Sequence, residues 1–285
     1  MIQNRRNFLS TLSAATAAIA GYGRALSAEE SWLELSRKKL DRIGIQLYTV
    51  RRLAATDLAG VLTQLAKIGY KEVEFAGYYN HPATEVRGFL EQNGLTAPSA
   101  HIDIDLIEKE PAKSFADAKT VGHEWITVPS PPNGRRPTPD DWKRLAEQFN
   151  KAAAQVKAAG FRFAYHNHNT ELKKIGDATP LDILIAETDP SLVSFEMDLY
   201  WVVNAGGNPL DLLAKYPGRF KMLHVKDSMG APDNKMAAVG AGTIDFKTIF
   251  ARAKGIEHYF VEHDQPADPI ASASASYRYL ANLDF

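Results

Sequence analysis

There is no cysteine among the 285 residues. Disulfides, thiol nucleophiles and Cys-ligated metals are therefore excluded, and any transition-metal site must be built from His, Asp and Glu. The same absence rules out a lipidated N-terminal anchor. An excess of charge of one sign is missing too: 33 Lys and Arg stand against 34 Asp and Glu, a net charge of -1. No overall field draws nucleic acid or an anionic membrane surface. The apolar run Phe8 to Ala20 covers 13 residues, short of the ~20 that cross a bilayer, so no stable membrane anchor is expected. No Gly-rich phosphate loop opening a helix occurs.

What is present is an ordinary globular composition, 45% hydrophobic and 24% charged, enough for one large domain with a full core. The first residues stand apart from it. Asn4-Arg5-Arg6-Asn7-Phe8-Leu9-Ser10 precedes the Ala-rich run Thr11 to Ala20, and Ala25-Leu26-Ser27 offers a small-residue cleavage site. This segment resembles a twin-arginine export signal, with Asn4 and Ser10 departing from the usual residues. The expectation is a signal at residues 1–27, cleaved near Ser27, and a periplasmic domain at 28–285. Twin-arginine export carries folded proteins, commonly with a metal already loaded.

Along the rest of the chain one unit recurs: an amphipathic helix, a Gly, then a short β-rich run. Glycines 69, 94, 122, 160, 218 and 255 occupy that place, as residues ending helices do. Trp142, Leu145, Phe149, Ala153 and Val156 have the spacing of a core-facing helix, opened by Thr138-Pro139-Asp140. Strands are predicted at about 43–49, 71–76, 97–103, 124–129, 161–168, 192–198, 219–226 and 258–263. Eight such units in about 258 residues point to a single-domain (β/α)8 TIM barrel, an α/β fold with its active site at the carboxyl ends of the strands.

Polar residues gather at those ends. In Phe161-Arg162-Phe163-Ala164-Tyr165-His166-Asn167-His168, period-two alternation sets the imidazoles opposite the aromatics. Glu72 and Glu74, Ser99 and His101, Ser194, Glu196 and Asp198, Met222, His224 and Lys226, and Phe260, Glu262 and Asp264 share faces in the same way. Several carboxylates facing one centre imply a cation or a dense ion-pair network.

Tyr165-His166-Asn167-His168, Met197-Asp198 with Trp201, Leu223-His224-Val225-Lys226-Asp227, Val239 to Asp245, and Phe260-Val261-Glu262-His263-Asp264 together resemble the xylose-isomerase-like TIM-barrel superfamily, usually labelled sugar phosphate isomerase/epimerase. The resemblance covers strands two to eight. It implies one divalent metal, often manganese, held by an acid on strand five, Asp on six, His on seven and Glu on eight. By position these are His166, Asp198, His224 and Glu262, the first departing from the family in type. His168 is the alternative to His166.

The resemblance implies proton removal next to a sugar carbonyl, with a metal stabilising the enediolate. Carboxylates with two imidazoles suit Mn or Zn, with Co, Fe or Mg also open. Glu262 both ligates and acts as base in this reading, and a second base comes from His101, His168, Glu171 or Lys226. With His166 where epimerases carry an acid, one-sided abstraction is expected: isomerisation of a sugar first, elimination from a 3-keto-glycoside as the alternative. Glu74, His168 and Trp201 are candidate substrate contacts, with orienting a metal ligand or pairing with Lys226 the other tasks open to Glu74. Arg135-Arg136 is the one candidate phosphate clamp, so a neutral sugar or keto-glycoside is the expected partner. A zinc phosphodiesterase or a non-catalytic sugar-binding barrel are the competing classes. Tyr48, Phe75 and Phe260 are read as core, and His123, His258 and His263 as outward-facing.

Overall fold

Short strands with apolar side chains on one face and a mixed row on the other can bury both faces by closing on themselves inside a ring of helices. The computed structural model describes residues 38–132 and 136–285. Its strands are β1 (Gly44–Gln46), β2 (Glu72–Phe75), β3 (Thr96–His101), β4 (Trp125–Val128), β5 (Arg162–His166), β6 (Val193–Asp198), β7 (Phe220–Val225) and β8 (His258–Val261). Each pairs in parallel with its successor, and β8 closes on β1. The eight-stranded (β/α)8 barrel is thus the fold. The export signal and Arg135 lie outside the described residues.

A main helix follows each strand: α1 (Leu58–Ile68), α2 (Ala83–Asn93), α3 (Pro111–Val121), α4 (Pro139–Ala158), α5 (Pro180–Glu187), α6 (Pro209–Lys215), α7 (Phe246–Arg252) and α8 (Pro269–Ala281), with the short helices Arg51–Ala54, Ile104–Lys109 and Leu199–Asn204 ahead of α1, α3 and α6. Local chemistry sets their ends. Thr138 and Asp141 form a reciprocal capping box at the start of α4, with Pro139 in its first turn. Trp142, Leu145, Phe149, Ala153 and Val156 are buried on its inner face. Gly69 ends α1 at φ +126°, and a Cβ there would sit 2.3 Å from the Tyr277 ring. Only glycine meets both demands. Among the described residues no helix is long and apolar enough to cross a membrane.

Outward side chains such as Val73, Phe75, Phe163, Phe195 and Val225 pack under the helices. Inside the barrel, Trp125, Ala164, Met222 and Phe260 form a separate apolar plug. Everything polar stands above or below that plug. Below it, His258 stacks on Phe260 and its Nδ1 lies 2.8 Å from Glu72, which Arg42 also approaches at 3.3 Å.

His258 is therefore inward-facing, a correction to the sequence reading. Alternation along β8 puts 258, 260 and 262 on one side. His123 is corrected as well: it is buried, its Nδ1–H donates to Ala97 O at 2.7 Å, and its Nε2 accepts from Tyr78 OH at 2.9 Å. Burial pushes its pKa down to about 4. β1 is shorter than expected because Leu47–Val50 winds into a 3-10 turn. That turn carries Tyr48 out to 41% exposure, so it is not core.

Candidate active site

Strand register decides which side chains meet. Glu74 stands beside Gln46 and Ser99, His166 beside Glu196, and Asp198 beside His224. A register shift between Phe195 and Glu196 accompanies two inward carboxylates on β6. The inward groups fall into two levels above the plug.

At the lower level two carboxylates hold three imidazoles. Glu74 Oε2 lies 2.7 Å from His224 Nε2 and 3.3 Å from His101 Nε2. Gln46 Nε2 and Ser99 Oγ donate to the same carboxylate at 2.8 and 2.5 Å. Glu196 Oε2 lies 3.0 Å from His101 Nε2, 3.1 Å from His166 Nδ1 and 3.1 Å from His224 Nε2. Each imidazole is thereby held in orientation with its other ring nitrogen free for another task.

At the upper level those freed edges meet carboxylates. His224 Nδ1 lies 2.6 Å from Glu262 Oε2 and 3.9 Å from Asp198 Oδ2, and His166 Nε2 lies 3.6 Å from Asp198 Oδ2. Asp198 caps the short helix Leu199–Asn204 by accepting from Trp201 N through Oδ1 at 2.9 Å. The cap fixes the carboxylate and aims Oδ2 inward. Asp198 Oδ2, His224 Nδ1 and Glu262 Oε2 are all buried and make no hydrogen bond of good geometry, only close charged contacts. The ammonium among them is Lys226 Nζ, 3.0 Å from Asp198, 2.9 Å from Glu262 and 2.9 Å from Asp264.

Electrostatics follow this layout. Burial would raise Glu262, but Lys226 and His224 together hold it well below the usual carboxylate range. Burial likewise opposes charge on His224, yet Glu196 and Glu262 lift it well above an ordinary imidazole. Burial and then His224 hold His166 well below, in the neutral form that donates a lone pair. Asp198 is raised by burial, which the Lys226 charge offsets only in part.

These residues fit a divalent cation. Five acids, Glu74, Glu196, Asp198, Glu262 and Asp264, converge with one lysine, and unpartnered buried oxygens cost several kcal/mol each unless a charge meets them. Among the described residues one four-membered and one three-membered group have metal-like proximity: His101, His166, Glu196 and His224, and Asp198, His224 and Glu262. In the first group nitrogen–carboxylate hydrogen bonds already occupy the facing atoms. The second holds the orphaned atoms, and His166 Nε2 adjoins it. Mixed imidazole and carboxylate donors suit Zn or Mn.

Above the donors opens a cavity of about 450 Å³. His101, His166, His168, Lys226, Glu262 and Asp264 line it together with Tyr48 and Leu106. Glu74 lies beneath, holding His224 and His101, and the Lys226 pairing considered for it is absent. Glu171 faces away from the cavity. Its Oε1 accepts from Tyr165 OH at 2.5 Å, its Oε2 from Thr170 Oγ1 at 2.8 Å and His168 N at 3.0 Å. Both oxygens secure the loop that carries His168, and Glu171 is not among the residues lining the cavity. Trp201 packs beside His168 at 5.8 Å and under Lys226 at 5.7 Å, off the cavity wall. Arg136 donates to Pro132 O at 2.7 Å and lines a separate surface hollow near α4.

Sequence reasoning assigned no task to Glu196, Asp264 or Tyr48. Glu196 carried the same signal as Asp198, an acid on the inward parity of β6. Asp227 was missed as well: its carboxylate accepts from Ser228 N, Ile244 N, Gly240 N and Gly242 N at 2.8 to 3.2 Å. That accounts for the motif Val239 to Asp245. A Cβ on Gly242 would lie 2.3 Å from Asp227 Oδ1, so the chain must be bare there.

The model of the xylose isomerase-like TIM barrel family matches residues 62–283. The chain belongs to that family. Among relatives of this TIM barrel, an inosose dehydratase of Clostridium beijerinckii is 27% identical over 225 residues, covering 66% of this chain and 75% of the relative. A solved sugar phosphate isomerase/epimerase from Parabacteroides distasonis is 27% identical, with TM-score 0.75 over 85% of this chain and 94% of that one. A solved IOLI protein with a bound zinc atom shares the fold at 13% identity, with TM-score 0.68 over 85% of this chain and 97% of that one.

Proposed function

We propose that this family member is a metal-dependent lyase of the dehydratase kind, acting on a non-phosphorylated keto sugar or keto cyclitol. A proton leaves the carbon next to the ketone and its electron pair forms the C=C bond. The C–O bond on the next carbon breaks, and its oxygen departs after taking up a proton. The observation that carries this reading is the unequal set of proton-transfer groups on the cavity wall: Glu262 is its one Glu, and the other candidates are the imidazoles of His166, His168 and His101. Opposed, equivalent bases suit reversible epimerisation. A carboxylate together with imidazoles suits taking a proton at one carbon and returning one to a leaving oxygen. The relatives named inosose dehydratase support the same class.

The residues divide the work as follows. Glu262 receives the proton. His166, Asp198, His224 and Glu262 would hold the metal, which supplies positive charge at the carbonyl oxygen when bound. Lys226, kept protonated by three carboxylates, places its ammonium beside that oxygen. His168 and His101 stand where the departing oxygen needs a proton. No Arg lines this cavity among the described residues, in keeping with a neutral substrate.

The test uses metal-loaded protein with inosose and 3-keto-glucosides in D₂O, followed by NMR. Deuterium at the α carbon together with loss of water or alcohol is expected. Rearranged sugar with every oxygen retained would instead establish isomerisation, the second reading, which the Parabacteroides relative's description favours. No exchange with any substrate would end both. The N-terminal segment supports export: a folded reporter fused to residues 1–27 is expected in the periplasm, and Arg5→Lys with Arg6→Lys should keep it in the cytoplasm.

A further inference from the structure

Beside the site cavity lies a second one of about 240 Å³, between the end of β3 and α3. The two share Gly77, His101 and Leu106 as common walls. Gly77 has φ +101°, and a Cβ built on it would meet nothing within 4 Å. A side chain there would project into open space, so the glycine keeps this region clear as well as permitting the backbone turn. Leu106, on the short helix Ile104–Lys109, is 44% exposed although it lies beside the charged site. Its position on both walls gives that exposure a purpose.

The side cavity differs chemically from the main one. Tyr78, Ala100, Ile102 and Leu106 make an apolar part of its lining, and Glu110, Ser114 and the ion pair Lys113–Asp117 make a polar part. Tyr78 is fixed in place, its hydroxyl bonded to His123 at 2.9 Å and its ring stacked on the imidazole. The main cavity carries the charged groups that a sugar's hydroxyls and ketone engage, and this side cavity adds an apolar surface beyond them. Ligand sites of roughly 300–1,000 Å³ hold drug-sized molecules, and the main cavity alone is within that range.

We infer that the substrate is a keto-glycoside with an apolar, preferably aromatic, aglycone, and that the aglycone seats in this side cavity. The inference rests on the lyase reading above and narrows its substrate class. The sugar ring lies over Lys226 and Glu262, the aglycone passes Leu106 and His101, and the bond joining them lies at the junction. Elimination there breaks the bond from the sugar carbon to the aglycone oxygen, which takes a proton and leaves as an alcohol or phenol. The sugar remains as the unsaturated ketone.

The experiment pairs binding with turnover on the metal-loaded protein. Calorimetry compares methyl and 4-nitrophenyl glucosides, which lack the ketone and cannot react, and kinetics compare the two 3-keto derivatives. The aryl compound is expected to bind at least tenfold tighter and to show a correspondingly higher kcat/KM through KM. Ser114→Phe, which fills only the side cavity, should collapse the aryl-to-methyl ratio toward one. Ser114→Leu is a smaller filler should the first variant fold poorly. Equal binding of the two glucosides by the unaltered protein overturns the inference, even if both keto compounds react and the lyase reading stands. A preference that survives filling of the cavity overturns it too. Tight aryl binding without turnover of any keto-glycoside retains the subsite and removes the lyase reading.

Discussion

Lys226 brings one positive charge into a space bounded by three carboxylates. An ammonium that serves the substrate and one that merely neutralises acids predict different variants. If it serves the substrate, Lys226→Met lowers kcat by roughly a hundredfold while metal affinity, measured by chelator competition, holds or rises because a like charge has gone. A joint fall of both would make the lysine structural. His123 makes a separate case, remote from these ligands. Its folded pKa of about 4 lies below the ordinary 6.5, so the unfolded chain binds the extra proton first. The stabilisation from the neutral imidazole is full above pH 6.5 and is lost as pH falls toward 4, a change of about 3 kcal/mol. Urea unfolding across that range should show it, and His123→Gln should flatten the slope.

Between residue and fold, the Asp227 clamp shows how a loop is made part of a site. Three backbone N–H groups, of Gly240, Gly242 and Ile244, on the buried Asp227 carboxylate tie the segment 239–245 to the chain just past β7, one residue beyond Lys226. Asp227→Asn keeps the shape but loses charge and one acceptor oxygen. It is expected to cost on the order of 3 kcal/mol, read as a lower unfolding midpoint, and to impair turnover by letting Lys226 drift. The strands themselves were legible from alternation, and so was the inward row at their carboxyl ends, because a parallel barrel hides one face behind helices and fills the other. What alternation does not encode is height. Glu196 and Asp198 share a face, yet one lies with the lower imidazoles and the other with the orphaned atoms. Nor does it say where a strand stops, which is why Tyr48 was read as core. Glu171 fell on a turn after β5, where a period of two has already ended.

For the molecule as a whole, the converging acids link metal and stability. Occupancy by a divalent cation at a thousandfold excess over its Kd adds about 4 kcal/mol, which for a chain of this length raises Tm by roughly 10 °C. Calorimetry with chelator and then Zn or Mn should reveal that shift, and Asp198→Ala should abolish it; an unchanged Tm in the parent protein would speak against the cation. The plug of Trp125, Ala164, Met222 and Phe260 has a different bearing. It makes the barrel a vessel with one mouth. Solvent and reactants arriving at Glu262 must enter and leave from the same side. The Glu72–His258 pair beneath the plug is sealed from that traffic, so a product still seated above bars the next molecule's way in.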